Sequence, residues 1–211
     1  MTRQSNLKLT EFSVYNLMPV DLEIQRGETI CISGPSGSGK SLLLRAIADL
    51  IPHKGSCYLR GVDANAMAAN QWRKQVSYFG AQSQWWFDTI GEHLELPLAE
   101  KLTEFLAEMG FNQANKNDDV LQWQVMRCST GERQRLAIIR LLANSPQVLL
   151  LDEPTSNLDA ENTTRVEKII RAYQRQTQCS IIWVSHDRKQ QQRVAQRHFI
   201  IKKSGLVEAN K

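Results

Sequence analysis

The chain has 211 residues, 42% of them apolar, and a formal net charge of +4. That length holds one α/β core with a small inserted subdomain and excludes a second full domain, and so modest a basic bias does not mark a nucleic-acid partner. The central apolar run 148–151 falls far short of the roughly 20 residues of a spanning helix, and the first residues carry no secretory signal, which points to the cytoplasm. Cys31, Cys57, Cys128 and Cys179 lie too far apart for a metal site and read as reduced thiols.

In chain order, the stretch 7–15 alternates apolar and polar residues imperfectly, as a partly exposed antiparallel strand does, and 20–24 alternates cleanly before the turn signal Arg26-Gly27. A short apolar strand, 29–33, then leads into Gly34, Pro35, Ser36, Gly37, Ser38, Gly39, Lys40 and Ser41, and a helical pattern follows at 42–48. Strand, glycine loop and helix together make a phosphate site. The glycines let successive N–H groups turn inward around a polyphosphate, Lys40 reaches its β and γ oxygens, and the Ser41 hydroxyl suits Mg²⁺. The helix adds its positive end to the same anion.

Glycines flank another short strand at 55–61, ahead of 72–78. Ile90, Leu94, Leu102, Phe105, Leu106 and Met109 recur at helical spacing, so helices are expected to dominate the middle. The runs 147–151 and 180–185 are nearly all apolar, as in strands covered on both faces of a parallel sheet. The first of them delivers Asp152 and Glu153 at its C-terminal end, the edge where open α/β sheets bind ligands. Asp152 there suits Mg²⁺, and Glu153 suits polarising the water that attacks a γ-phosphate. The basic segment 188–193 reads as a solvated helix face.

With the remaining motifs in order, the chain resembles the ATP-binding-cassette family over nearly its whole length. Ser129-Thr-Gly-Glu is similar to the family signature, with Cys128 where leucine is usual; the segment ending in Asp159 resembles the D-loop, Gln82 takes the Q-loop place, and His186 that of the switch histidine. The resemblance implies a P-loop NTPase with a RecA-like parallel core, an N-terminal antiparallel β subdomain and a small helical subdomain. Residues 1–84 and 134–211 would form the ATP-binding part and 85–133 the helical part carrying the signature. It further implies ATP and Mg²⁺ as ligands, with Ser41, Gln82 and Asp152 at the metal, Glu153 as base, and His186, Lys40 and Gln82 completing the catalytic set. Tyr15 resembles the aromatic residue that stacks on adenine, with Phe12 as its rival.

Family members pair head to tail around ATP, so the resemblance implies a homodimer in which Ser129 and Gly131 reach the nucleotide of the other copy. Thr130 replaces a glycine of the signature, and its β-branched side chain restricts backbone freedom there, weakening ATP sandwiching or slowing turnover, while the retained Ser129 and Gly131 are expected to keep activity. The short interval between Gln82 and Ser129 excludes DNA-clamping insertions, so no nucleic acid is expected. A separately encoded integral-membrane permease is the implied partner, with the chain peripheral on the cytoplasmic face of the membrane and Trp85, Trp86 and Phe87 near the docking groove. Residues 76–94 resemble small cassettes of metal-ion export. The alternative reading is a soluble cassette ATPase of macromolecular or iron–sulfur cluster assembly.

Overall fold

The computed structural model describes residues 5–80, 83–94, 99–111, 119–202 and 205–209. Its elements are β1 (Ser5–Ser13), β2 (Val20–Gln25), β3 (Thr29–Ser33), α1 (Lys40–Ile47), β4 (Lys54–Leu59), β5 (Val62–Asp63), α2 (Ala69–Gln75), β6 (Val76–Phe79), α3 (Ala99–Glu108), α4 (Thr130–Ala143), β7 (Val148–Asp152), α5 (Ala160–Thr177), β8 (Ser180–Val184), α6 (Arg188–Val194), β9 (Arg197–Lys202) and β10 (Gly205–Glu208). Contacts divide the chain into two units, residues 1–80, 146–154 and 174–211 in one and 81–145 with 155–173 in the other.

The first unit holds two sheets, an antiparallel one in the order β2-β1-β4-β5 and a larger one in the order β10-β9-β3-β8-β7-β6. In β2, Val20, Leu22 and Ile24 are buried and Asp21 and Glu23 exposed, the alternation of a strand with one wet face. Every residue of β7 and β8 is buried, as their unbroken apolar runs require. Only β10 runs antiparallel in the larger sheet; β9, β3, β8, β7 and β6 are parallel neighbours. Their C-terminal ends therefore share one edge. Buried Asn6 ties the sheets together, donating from Nδ2 to the Gln147 carbonyl at 3.0 Å and to Ser180 Oγ at 2.8 Å.

The region 72–79 changes character midway: Trp72 lies in α2, fully buried with Nε1 donating to the Ile47 carbonyl at 2.9 Å, and β6 begins at Val76. Among the described residues, α3 and α4 lie wholly inside the second unit, with single 3₁₀ turns at Gly91–His93 before α3 and at Val120–Gln122 and Val125–Arg127 before α4. The helical spacing from Ile90 is thus a mixture. Leu102, Phe105 and Leu106 belong to α3, whereas Ile90 and Leu94 flank the first 3₁₀ turn, where Leu94 leaves helical geometry at ψ 86°.

Candidate active site

The phosphate loop leaves β3 and enters α1. Gly34, Gly37 and Gly39 all have positive φ, and Gly39 caps α1 at φ 98°. At Gly37 and Gly39 an added Cβ would meet open space, so what glycine provides there is the left-handed backbone, which aims N–H groups into the loop. Ser38 Oγ is buried without a partner, an orphaned polar atom of the kind an anion's oxygen satisfies. Lys40 is buried and folds back over the loop, its Nζ donating to the carbonyls of Gly34 and Pro35 at 2.9 Å each. Burial pushes its ammonium below the ordinary lysine range, while the carboxylates of Glu153 and Asp152 pull it back up. Pro35, Ser36 and Gly37 are exposed and Ser41 half-buried at the start of α1.

Tyr15 is 74% exposed and turns at φ 48°, lining with Val14, Pro35, Gly37 and Gly39 a groove of about 380 Å³. Phe12 is committed elsewhere, fully buried and packed on His53 with ring centroids 4.5 Å apart.

The parallel register brings the acids and the histidine to the same edge. Asp152 pairs with Val184, and Val184 with Ile32, so the loops after β3, β7 and β8 emerge side by side. Asp152 is buried and accepts a hydrogen bond from the Tyr78 phenol at 3.0 Å. Burial, and next the Asp152 charge, push the Tyr78 hydroxyl up to about 12, so it is a donor at all working pH. Glu153 lies beyond the strand end at φ 51°, its N–H donating to the Val184 carbonyl at 3.1 Å and its Oε1 lying 3.0 Å from His186 Nε2. Nε2 faces a carboxyl oxygen, the position of a hydrogen-bond donor. Asp187 caps α6 by accepting from the Lys189 N–H, fixing the turn that presents His186.

These residues can do chemistry together: a cradle of N–H groups and an ammonium for phosphate charge, a hydroxyl and a buried carboxylate for a divalent cation, and a carboxylate–imidazole pair for water. Mg²⁺ at phosphate sites takes one or two carboxylates plus substrate oxygens and water, a demand that Ser41 and Asp152 fit. When bound, it would neutralise phosphate charge. Gln82, the third expected metal residue, lies outside the described residues.

In the second unit Ser129 caps α4. Its Oγ accepts from the Glu132 N–H at 3.2 Å while Glu132 Oε2 accepts from the Ser129 N–H at 2.7 Å, a capping box. Thr130 is the first residue of the helix, following Ser129 at the N-cap. At Gly131 an added Cβ would stand 3.3 Å from Leu158 Cδ2. A side chain at Gly131 would need Leu158 to give way by a few tenths of an ångström. Asp159 accepts from the Asn162 N–H at 2.8 Å, which caps α5 and holds its carboxyl below the usual range.

Of the three aromatic residues after the Gln82 position, Trp86 is 64% exposed and Phe87 49%, while Trp85 is half-buried. Buried His93 is their hub, its ring in edge contact with all three. Its Nε2 accepts the N–H groups of Trp86 and Phe87 at 2.9 Å each, and Nδ1 lies 2.9 Å from the Thr89 carbonyl, which sets the Nδ1–H tautomer. Arg140 of α4 lies over Trp85 and Trp86 at 4.6 and 4.8 Å and donates to the Gln84 carbonyl at 2.9 Å. No sequence pattern assigns a role to Tyr78, His93 or Arg140, since each acts through contacts that only the fold brings together.

A family model described as ABC transporter matches residues 17–156. The chain is 34% identical over 178 residues to Probable iron export ATP-binding protein FetA of Escherichia coli strain K12, covering 80% of this chain and 77% of that protein. It is 33% identical over 212 residues to Protein STAR1 of Oryza sativa subsp. japonica, covering 99% of this chain and 60% of that one. Among solved structures, the dimeric post-hydrolysis state of the ATP-binding cassette MJ0796 bound to ADP and Pi superposes with a TM-score of 0.79 at 25% identity, over 97% of this chain and 98% of that one. A likeness of that extent, in sequence and in fold alike, makes this chain a member of the ABC transporter family, on its ATP-binding side.

Proposed function

We propose that the chain is the motor of an ABC transporter, hydrolysing Mg²⁺-bound ATP between two head-to-tail copies and driving a separately encoded membrane subunit. One observation carries the reading: the phosphate loop, Asp152, Glu153 and His186 emerge from adjacent parallel strands at one sheet edge. Lys40 and the loop N–H groups hold the β and γ phosphates. Ser41, Asp152 and Gln82 are the metal side, and Mg²⁺ there supplies charge neutralisation. Glu153 orients the attacking water as base, and His186 steadies it and the γ-phosphate. Tyr15 offers its exposed face to adenine. Ser129, Gly131 and Asp159 serve the nucleotide of the other copy. Phosphate release from ATP by the purified chain, dependent on Mg²⁺ and rising steeply with protein concentration, tests this; turnover linear in concentration contradicts the shared site.

The described residues contain no helix long and apolar enough to cross a membrane. In the proposed reading the membrane step belongs to a separately encoded subunit, with this chain peripheral on the cytoplasmic face. The exposed rings of Trp86 and Phe87 are suited to anchor it, as aromatic residues do at interfaces. At 64% and 49% exposure neither ring is buried in a core. Trp86→Ala with Phe87→Ala should lower transport in reconstituted vesicles by about 10-fold or more while basal hydrolysis stays within twofold; equal losses in both contradict the docking role. The role of FetA, probable iron export, agrees with the resemblance of residues 76–94 and supports metal ions as cargo. Nothing favours the assembly-ATPase alternative.

A further inference from the structure

Tyr78 stands on β6 opposite Leu150 of β7, two residues before Asp152 and therefore on the same face of the sheet. Its phenol donates to Oδ2 of Asp152 at 3.0 Å, and Arg45 lies near enough for its charge to act on the phenol. Arg45 belongs to α1, the helix that opens with Lys40 and Ser41. The hydroxyl that meets the buried acid therefore stands near the phosphate-loop helix. Gly80 shows that the slot is built: an added Cβ there would meet Tyr78 Cε1 at 3.2 Å and the phenol oxygen at 3.3 Å, and no positive φ accounts for the glycine.

We propose that Tyr78 is a positioning residue for the divalent cation, pinning one carboxylate oxygen of Asp152 so that the other is presented to the metal or its water. The inference rests on the assignment of Asp152 to the metal side. A carboxylate with one oxygen fixed by a neutral donor keeps its charge and loses its rotation, which is how outer partners orient metal ligands. Removing the hydroxyl alone leaves the acid free to turn and one buried oxygen without its donor.

The test is Mn²⁺ binding followed by electron paramagnetic resonance on purified protein with ATP, beside ATP binding in chelator. Tyr78→Phe should weaken Mn²⁺ by about 10-fold and leave chelator-measured ATP affinity within twofold. Asp152→Asn is the reference, and Tyr78→Phe added to it should weaken Mn²⁺ no further. If Asp152→Asn leaves Mn²⁺ binding unchanged, the metal assignment fails. If it weakens binding while Tyr78→Phe does not, or if the two losses add in full, the positioning role fails. Gly80→Ala, which crowds the phenol and keeps the hydroxyl, supplies a second variant: weaker Mn²⁺ with unchanged metal-free ATP binding supports the role, and unchanged Mn²⁺ binding overturns it.

Discussion

Glu153→Gln leaves ATP binding intact and cuts steady-state hydrolysis by about 10³-fold, within the range of a lost general base. Glutamine matches glutamate in shape, and its carbonyl oxygen can still accept from His186 Nε2, so the turn after β7 keeps its contact. What is lost is the negative oxygen that takes a proton from water. Such a variant should bind ATP without consuming it and accumulate as a dimer on size exclusion with Mg²⁺ and ATP. Phosphate release within threefold of the native chain would remove Glu153 from the reaction.

Lys40→Ala acts earlier and weakens ATP binding itself by about 10- to 100-fold, the loss of a charge-assisted bond of about 1.5–3 kcal/mol. The ammonium is held over the loop by two carbonyls, those of Gly34 and Pro35, and is partly stripped of water. It is therefore poised for an anion's oxygens with little left to desolvate. Hydrolysis should fall further than binding, because phosphate charge grows toward the transition state. Titration with a fluorescent ATP analogue reads the first effect and phosphate release at saturating ATP the second. Native affinity in the variant would put the phosphates elsewhere.

What could be read from the sequence was what lies local in the chain. The strand before the phosphate loop, the two buried runs at 147–151 and 180–185, and the acid pair after the first of them stand where their patterns placed them. Neighbour-dependent features were illegible. Tyr78 reaches Asp152 only because β6 lies beside β7, an order no periodicity reveals. Ile90 and Leu94 matched a helical spacing, yet the segment is shaped by His93, whose ring takes the N–H groups of residues seven and six positions earlier. The tight neighbourhood of Gly131 is likewise set by Leu158, 27 positions along the chain.

The conformation of Glu153 has a consequence for the whole molecule. A residue with a Cβ held at φ 51° carries about 1 kcal/mol of backbone strain, and glycine would sit there at ease. Glu153→Gly should therefore raise the melting midpoint, by about 2 °C for a chain of this size, while abolishing hydrolysis; a scanning calorimetry trace showing a lower midpoint would deny the strain. Heat resistance and turnover select opposite residues at this position, and a library sorted on thermal survival alone would drift toward a sturdier protein with an idle engine.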